Sequence, residues 1–383
     1  MHVVAAVAGI ATILSVLWEA FETVVLPRRV TRHFRFTRLF YRTSWGLWVG
    51  LLGSVQPPKR RESYLSYFGP LSLLGLLVVW AILLVFGFAF LHYASGSSMN
   101  VATPGLPQGF WTDLYMSGTT FFTLGLGDVT PRSAAARVIT VFESGMGFGF
   151  LALVIGYVPT IYQAFSRREV NITLLDARAG SPPSGVELLR RHASDHGREA
   201  LLALLHDWER WSAELLESHL SYPVLCYFRS QHDNQNWVAA LTTMLDACAM
   251  VIVGLGEVPR RQAQLTFAVA RHAVVDLAQI FSTPPMSGPD RLPDGAVQQL
   301  RASLADAGWR LEDGAAAEQR LSELRAMYEP YVQALGNYLR FAVPSWLPPE
   351  RHRDNWQTSA WGRISAGIAD PPAYVEAKRD DHF

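Results

Sequence analysis

The chain has 383 residues, half of them hydrophobic, and its 33 basic and 33 acidic side chains give a formal net charge of zero. That balance gives no footing for a nucleic-acid partner, and Cys226 and Cys248, without C-x-x-C spacing, indicate neither a disulfide framework nor a zinc site. Apolar residues concentrate before Gln163 and charge collects after Ser166, so a membrane part followed by a soluble part is the simplest partition.

Residues 3–26 are apolar and long enough to cross a bilayer, which takes about 20 residues. No basic residue precedes this stretch and Arg28 and Arg29 follow it, a charge order unlike that of a cleaved signal. It is therefore predicted to be an N-terminal span over residues 1–29, with its start outside. Glu19 and Glu22, one turn apart near its end, are expected to pair with Arg38 or Arg42. In residues 30–63, arginines alternate with aromatics ahead of an apolar run from Trp45 to Val55 that is too short to cross. Basic residues at both ends, including Lys59, Arg60 and Arg61, place both flanks inside, so an interfacial helix is predicted. Such a helix either levers the next span or simply anchors it.

Residues 65–94 form the next strong span and must run outward from their basic flank. The segment SGSSMNVATPGLPQG that follows is rich in Gly, Pro and Ser and is predicted to be an external turret. A short amphipathic helix over about Trp111 to Phe122 then leads into Thr123, Leu124, Gly125, Leu126, Gly127 and Asp128. Glycines at alternate positions allow left-handed backbone, so successive carbonyls can face one way and replace the water around a cation. The Thr123 hydroxyl adds one more oxygen, and the negative C-terminal dipole of the short helix favours a cation below it.

This order of residues resembles the Thr-Val-Gly-Tyr-Gly-Asp filter of potassium channels, with Leu124 at the Val place and Leu126 at the Tyr place. The resemblance covers roughly residues 65–165 and implies a channel pore: outer helix, pore helix, filter and inner helix. It puts Thr120 and Asp128 at filter-supporting places, Pro131 just past the filter and Gly147 at the inner-helix hinge. The last helix is also similar to that of two-pore-domain potassium channels, some of which carry leucine at the Leu126 place. One pore loop per chain implies a homotetramer, with potassium as the permeant ion and no other cofactor or metal.

From Ala135 to about Gln163 the chain returns inward, and helical spacing from Gly147 sets Phe148, Leu151, Ile155 and Pro159 on the axial face. All are apolar, which suits a gate that closes by dewetting. Gly147 serves either as a hinge or for close packing. Glu143 is expected to hydrogen-bond Ser117 or Thr119 and brace the filter, or else to tune ion entry.

The soluble part is predicted to be an all-helical cytosolic domain over residues 169–343, following a pore domain at 64–168 and preceding a Pro/Trp-rich tail at 344–383. Leu201, Leu204, Leu205, Trp208, Trp211 and Leu215 repeat at helical spacing, and segments near 233–255, 258–282, 295–310 and 315–342 read likewise. Residues 237–255 have nearly the length of a span. A further crossing would put Arg260 and Arg261 outside, so a buried core helix is expected, with a partner for Asp246. Gly254 and Gly256 lack the rest of a G-x-G-x-x-G fingerprint, residue 259 being Pro259, and are predicted to end that helix. Leu321, Leu324, Tyr328, Tyr331, Leu335 and Tyr338 follow a heptad and form either a core-facing stripe or a short coiled coil interrupted by Pro330. His272 and Asp276 share a helix face without further candidate ligands.

The fold class expected is thus all-α: a membrane channel pore with an extra N-terminal span and a cytosolic helical domain. The function expected is passive, non-enzymatic potassium conduction in the cell membrane, with the inner helix or filter as gate. An unidentified cytosolic ligand has a place in that scheme. A poorly selective cation pore and a non-conducting membrane scaffold are the alternatives, the first because Leu126 replaces an aromatic. The arginines from Arg28 to Arg42 lie outside the apolar cores and form no voltage-sensing ladder.

Overall fold

The computed structural model describes residues 1–26, 35–56, 58–97, 99–101, 109–232, 234–256, 258–293 and 295–347. Most of the C-terminal tail, residues 30–34 of the interfacial segment, and residues 98 and 102–108 of the turret lie outside the described residues. The chain forms two compact units, Met1–Gln163 and Ala164–Phe383.

In the first unit, α1 (His2–Ala20) continues through one π-helical turn, Phe21–Val25. It is followed by α2 (Phe36–Leu52), α3 (Pro58–Ser66) and α4 (Phe68–Ala94). Next come β1 (Met99–Val101), α5 (Phe110–Phe121) and β2 (Val129–Pro131). The helix α6 (Ala134–Ala179) begins in this unit and runs on into the second. The stretches His2–Val25, Lys59–Ala94 and Ala134–Ala179 are each long and apolar enough to cross a membrane.

Small residues set the packing of α1 on α4. A Cβ at Gly9 would stand 2.7 Å from the Gly87 carbonyl oxygen, so only glycine lets the two backbones come this close. Near the end of α1, Glu19 accepts hydrogen bonds from the Phe36 and Thr37 amides, each at 3.1 Å, and from the Thr37 hydroxyl at 2.8 Å. Those amides are otherwise unpaired at the start of α2, and a carboxylate there also meets the positive helix end. Glu22 accepts from the Trp18 indole at 2.7 Å and lies 3.7 Å from Arg35. The pairing expected with Arg38 or Arg42 is corrected: the free amides of α2 lie nearer, because α2 starts beside these carboxylates. Thr37, Tyr41 and Trp45 recur every fourth residue on the buried face of α2, and Trp45 meets Phe68 edge-on at 4.8 Å.

The turret contributes a strand that the sequence reading did not include. β1 pairs antiparallel with β2, Met99 opposite Pro131 and Val101 opposite Val129. Met99 and Val129 pack with Met116 into a small apolar cluster over α5.

The second unit contains the end of α6 and α7 (Gly185–Arg191), α8 (Asp195–Ser221), α9 (Trp237–Gly254) and α10 (Arg260–Ile280). It is completed by α11 (Ala296–Asp306), α12 (Ala315–Ala326) and α13 (Glu329–Leu339). α9 has the length and apolarity of a span, yet every residue of it is buried, with α7, α8, α10, α12 and α13 packed around it. Asp246 at its middle is ion-paired to Arg291 at 2.5 Å and accepts from the Tyr328 hydroxyl at 2.5 Å. Gly254 and Gly256 end the helix with φ of 143° and 55°. The coiled-coil alternative is corrected: the heptad is split between α12 and α13 at Tyr328, and Pro330 opens the second helix. Leu321, Leu324, Tyr328 and Leu335 are core residues. Both cysteines are free and buried, which raises their thiol pKa values.

Candidate functional site: a re-entrant helix and its loop

The helix α5 stops where Phe122 leaves helical geometry, and the next residues curl back on its C-terminal carbonyls. The Thr123 amide donates to the Thr120 carbonyl at 3.0 Å, and the Leu124 and Gly125 amides donate to the Thr119 carbonyl at 2.8 and 3.3 Å. Carbonyls left without partners at a helix end take up the donors of the loop in this way.

Beyond that cap, the backbone alternates. Thr123, Gly125 and Gly127 have φ of 57°, 56° and 80°. Two of the three are glycines, for which the left-handed region carries no Cβ penalty. Thr123 is β-branched and is held there at a cost of roughly 1–2 kcal/mol. Among the described residues, no hydrogen bond is made to the carbonyls of Thr123, Leu124, Gly125 or Leu126. Four consecutive acceptors with unengaged lone pairs suit oxygen ligation of a hard, weakly hydrated cation. The side chains of Leu124 and Leu126 are exposed on the isolated chain.

The loop is tied at both ends. At its far end the Tyr115 hydroxyl, from α5, donates to Asp128 at 2.8 Å. At its near end Gly147 of α6 lies against α5: a Cβ there would stand 2.0 Å from the Phe121 carbonyl oxygen. Gly145, Gly149 and Gly156 meet nothing comparable within 4 Å. Close packing is therefore sufficient reason for a glycine at 147. Phe148, Leu151, Ile155 and Pro159 lie exposed along α6, which passes through Pro159 without interruption.

Glu143 is completely buried and joins three helices. One oxygen is hydrogen-bonded with Ser117 of α5, and the other lies 3.1 Å from His92 Nε2 of α4. Of the two partners expected, Ser117 makes the bond while the Thr119 hydroxyl donates to the Met116 carbonyl instead, and His92 is a further partner that the sequence does not indicate. Thr120 contributes its carbonyl to the loop cap, while its hydroxyl lies 3.9 Å from the Met116 sulfur. Four features were missed: the left-handed Thr123, the Thr119 carbonyl, the Tyr115 tie and His92. A β-branched residue gives no hint of positive φ, and the other three depend on contacts between distant elements. Among the described residues no group of three or more His, Cys, Asp or Glu is placed to hold a metal; His272 and Asp276 stand 3.9 Å apart with His272 exposed.

A short helix packed against two long apolar helices, then a loop of unengaged carbonyls, fits the class of ion-channel pore domains in helical membrane proteins. Comparison with known proteins agrees with that class. Residues 77–164 match the family model described as "Ion channel". The chain is also 23% identical over 194 residues to the uncharacterized membrane protein YdjJ of Bacillus subtilis (strain 168). That alignment covers 50% of this chain and 56% of the relative, so the chain spans little more than half of the relative's length. No solved structure matches.

Proposed function

We propose that the protein is a passive, potassium-selective channel built from four copies of the chain. The observation that carries this reading is the alternation of left-handed residues at Thr123, Gly125 and Gly127 directly after a capped short helix, with four carbonyls unengaged. Four such loops around an axis supply rings of oxygen at the positions of Thr123, Leu124, Gly125 and Leu126, and the Thr123 hydroxyl supplies one more. One loop is a quarter of that site, hence the tetramer. Phe148, Leu151, Ile155 and Pro159 would line the route below it, where an apolar constriction gates by dewetting. The basic flanks of α2 and α3 favour a cytoplasmic interior, with the N-terminus outside and the second unit inside, where it assembles or regulates the pore. Conduction needs no cofactor beyond the permeant potassium ion.

A second reading, a poorly selective cation pore, is favoured by Leu126, whose side chain has no hydroxyl with which to tie the loop. The Tyr115 bond to Asp128 supports selectivity, because it supplies a tie from the pore helix instead. The deciding experiment is reversal potential in liposomes under opposed potassium and sodium gradients. A value near the potassium potential is expected; current with a value near zero would establish the leaky pore. Absence of current in the full chain and in Gly125→Ala alike would remove conduction altogether.

A further inference from the structure

Behind the candidate filter, α4, α5 and α6 meet at one buried polar cluster whose protons can be counted. The Ser117 hydroxyl of α5 is hydrogen-bonded to the Val85 carbonyl of α4 at 2.7 Å and also to Glu143 Oε1 of α6. A serine hydroxyl has one proton to give and lone pairs with which to accept. A carbonyl and an ionised carboxylate only accept. With Glu143 ionised, one proton must serve two acceptors, and at most one of them receives a full two-centre hydrogen bond. Both contacts are full two-centre hydrogen bonds when Glu143 Oε1 carries a proton and donates it to Ser117, which then donates to Val85. Glu143 Oε2 is left to accept from His92 Nε2, at 3.1 Å.

The surroundings favour the same arrangement. His92 Nδ1 and Asp113 Oδ1 are buried without a hydrogen-bond partner among the described residues, and Asp113 lies within electrostatic reach of His92. The other Asp113 oxygen accepts from the Ser97 hydroxyl at 2.6 Å. These are the titratable groups facing Glu143 from α4 and α5, while from α1 His2 bonds the carbonyl of Tyr93, the neighbour of His92, at 3.0 Å. An ionised Glu143 would thus add a buried negative charge close to a second buried carboxyl group.

We propose that the Ser117, Glu143 and His92 cluster is a proton-binding site, and that its proton, on Glu143, couples the pore helix to both flanking helices. Loss of the proton forces Ser117 to release either Val85 or Glu143, so α5 is uncoupled from α4 or from α6. The proton itself follows from the hydrogen-bond count; its effect on conduction rests on the channel reading above.

Glu143→Gln provides the test, since its amide NH2 donates to Ser117 and its oxygen accepts from His92, as the protonated acid does. The full chain would be compared with Glu143→Gln and Glu143→Ala in phosphatidylethanolamine and phosphatidylglycerol liposomes, over a series from about pH 7 to pH 9.5. Infrared spectra of the wild type are expected to contain a protonated-carboxyl band that Glu143→Gln lacks. Potassium flux in the wild type should fall several-fold across that range. In Glu143→Gln it should stay within about twofold of the wild-type value at pH 7, and thermal stability should follow the same pattern. A wild type without the band, or Glu143→Gln matching Glu143→Ala in stability, would overturn the proposal. If no chain conducts but the band disappears in Glu143→Gln, the proton site stands and the channel reading falls.

Discussion

Replacing Gly147 by alanine adds one methyl group where the Phe121 carbonyl oxygen already stands, 2.0 Å from the new Cβ. Ordinary contact begins at roughly 3.5 Å, so α6 and the end of α5 must part by about 1.5 Å. Neither contact atom is the end of a flexible side chain that can swing away. Overpacking of this kind costs about 1–3 kcal/mol in each subunit. The displaced carbonyl lies two residues before Thr123, whose amide is hydrogen-bonded one turn back on α5, so the shift is passed to the candidate filter. Gly147→Ala is therefore expected to lower the thermal midpoint of the detergent-solubilised protein and to raise sodium permeability relative to potassium in liposomes. Gly145→Ala and Gly149→Ala are the controls: their Cβ atoms meet nothing within 4 Å in the subunit, and alanine in a helix is favoured by about 0.5–1 kcal/mol. A Gly147→Ala protein with the wild-type thermal midpoint and permeability ratio, altered only in how often it opens, would refute the packing argument and leave a hinge as the reason for this glycine.

Tyr115→Phe removes the tie to Asp128 and is expected to increase sodium permeability with little loss of stability, since Tyr115 is partly exposed; an unchanged reversal potential would count against a role for the tie. Asp246→Ala leaves the buried Arg291 with Glu329 as its remaining acidic partner and should destabilise the second unit by about 3–5 kcal/mol, read from its chemical denaturation midpoint. His219 is pushed well below the usual imidazole pKa, first by burial and then by the Arg168 guanidinium, while its bond to the Leu215 carbonyl opposes the shift. The unfolded chain takes up a proton below about pH 6.5 and the folded chain does not, so stability should be lost as pH falls from there, by up to about 1.4 kcal/mol per pH unit. His192, lowered mainly by burial, acts in the same direction, and His219→Gln should flatten part of the dependence; an unchanged slope would assign the loss elsewhere.

Legibility followed the physical range of each signal. Apolar length gave α1, α4 and α6, because a bilayer imposes a length requirement that needs no knowledge of neighbours. Helical spacing of Leu201, Leu205, Trp208 and Leu215 gave the buried face of α8 in the same way. Alternate glycines identified the loop, since the left-handed backbone at Gly125 and Gly127 is nearly a property of the residue. What depended on non-local contacts was harder to read. Glu19 was near arginines in sequence but beside the start of α2 in space. The strand β1 is only three residues long and exists because β2, beyond the candidate filter, comes back to it. Asp246 was recognised as needing a partner, yet Arg291 lies 45 residues away and no spacing rule leads to it.

Thr123 shows how these ranges combine at the candidate site. Its left-handed φ is unfavourable for a β-branched residue, and nothing in its local sequence explains it. Three features of the surrounding structure hold it. The Thr120 carbonyl takes its amide, the Thr119 carbonyl takes the next two, and Gly147 lets α6 support Phe121 from behind. A glycine at 123 would remove the strain and, with it, the hydroxyl that completes the innermost oxygen ring of the proposed filter. Retaining threonine makes the proposed filter depend on its supports. The conformation of this backbone is then coupled to α6 through Gly147 and Glu143, and to α4 through Ser117 and His92, so a change in either helix has a physical route to the proposed filter.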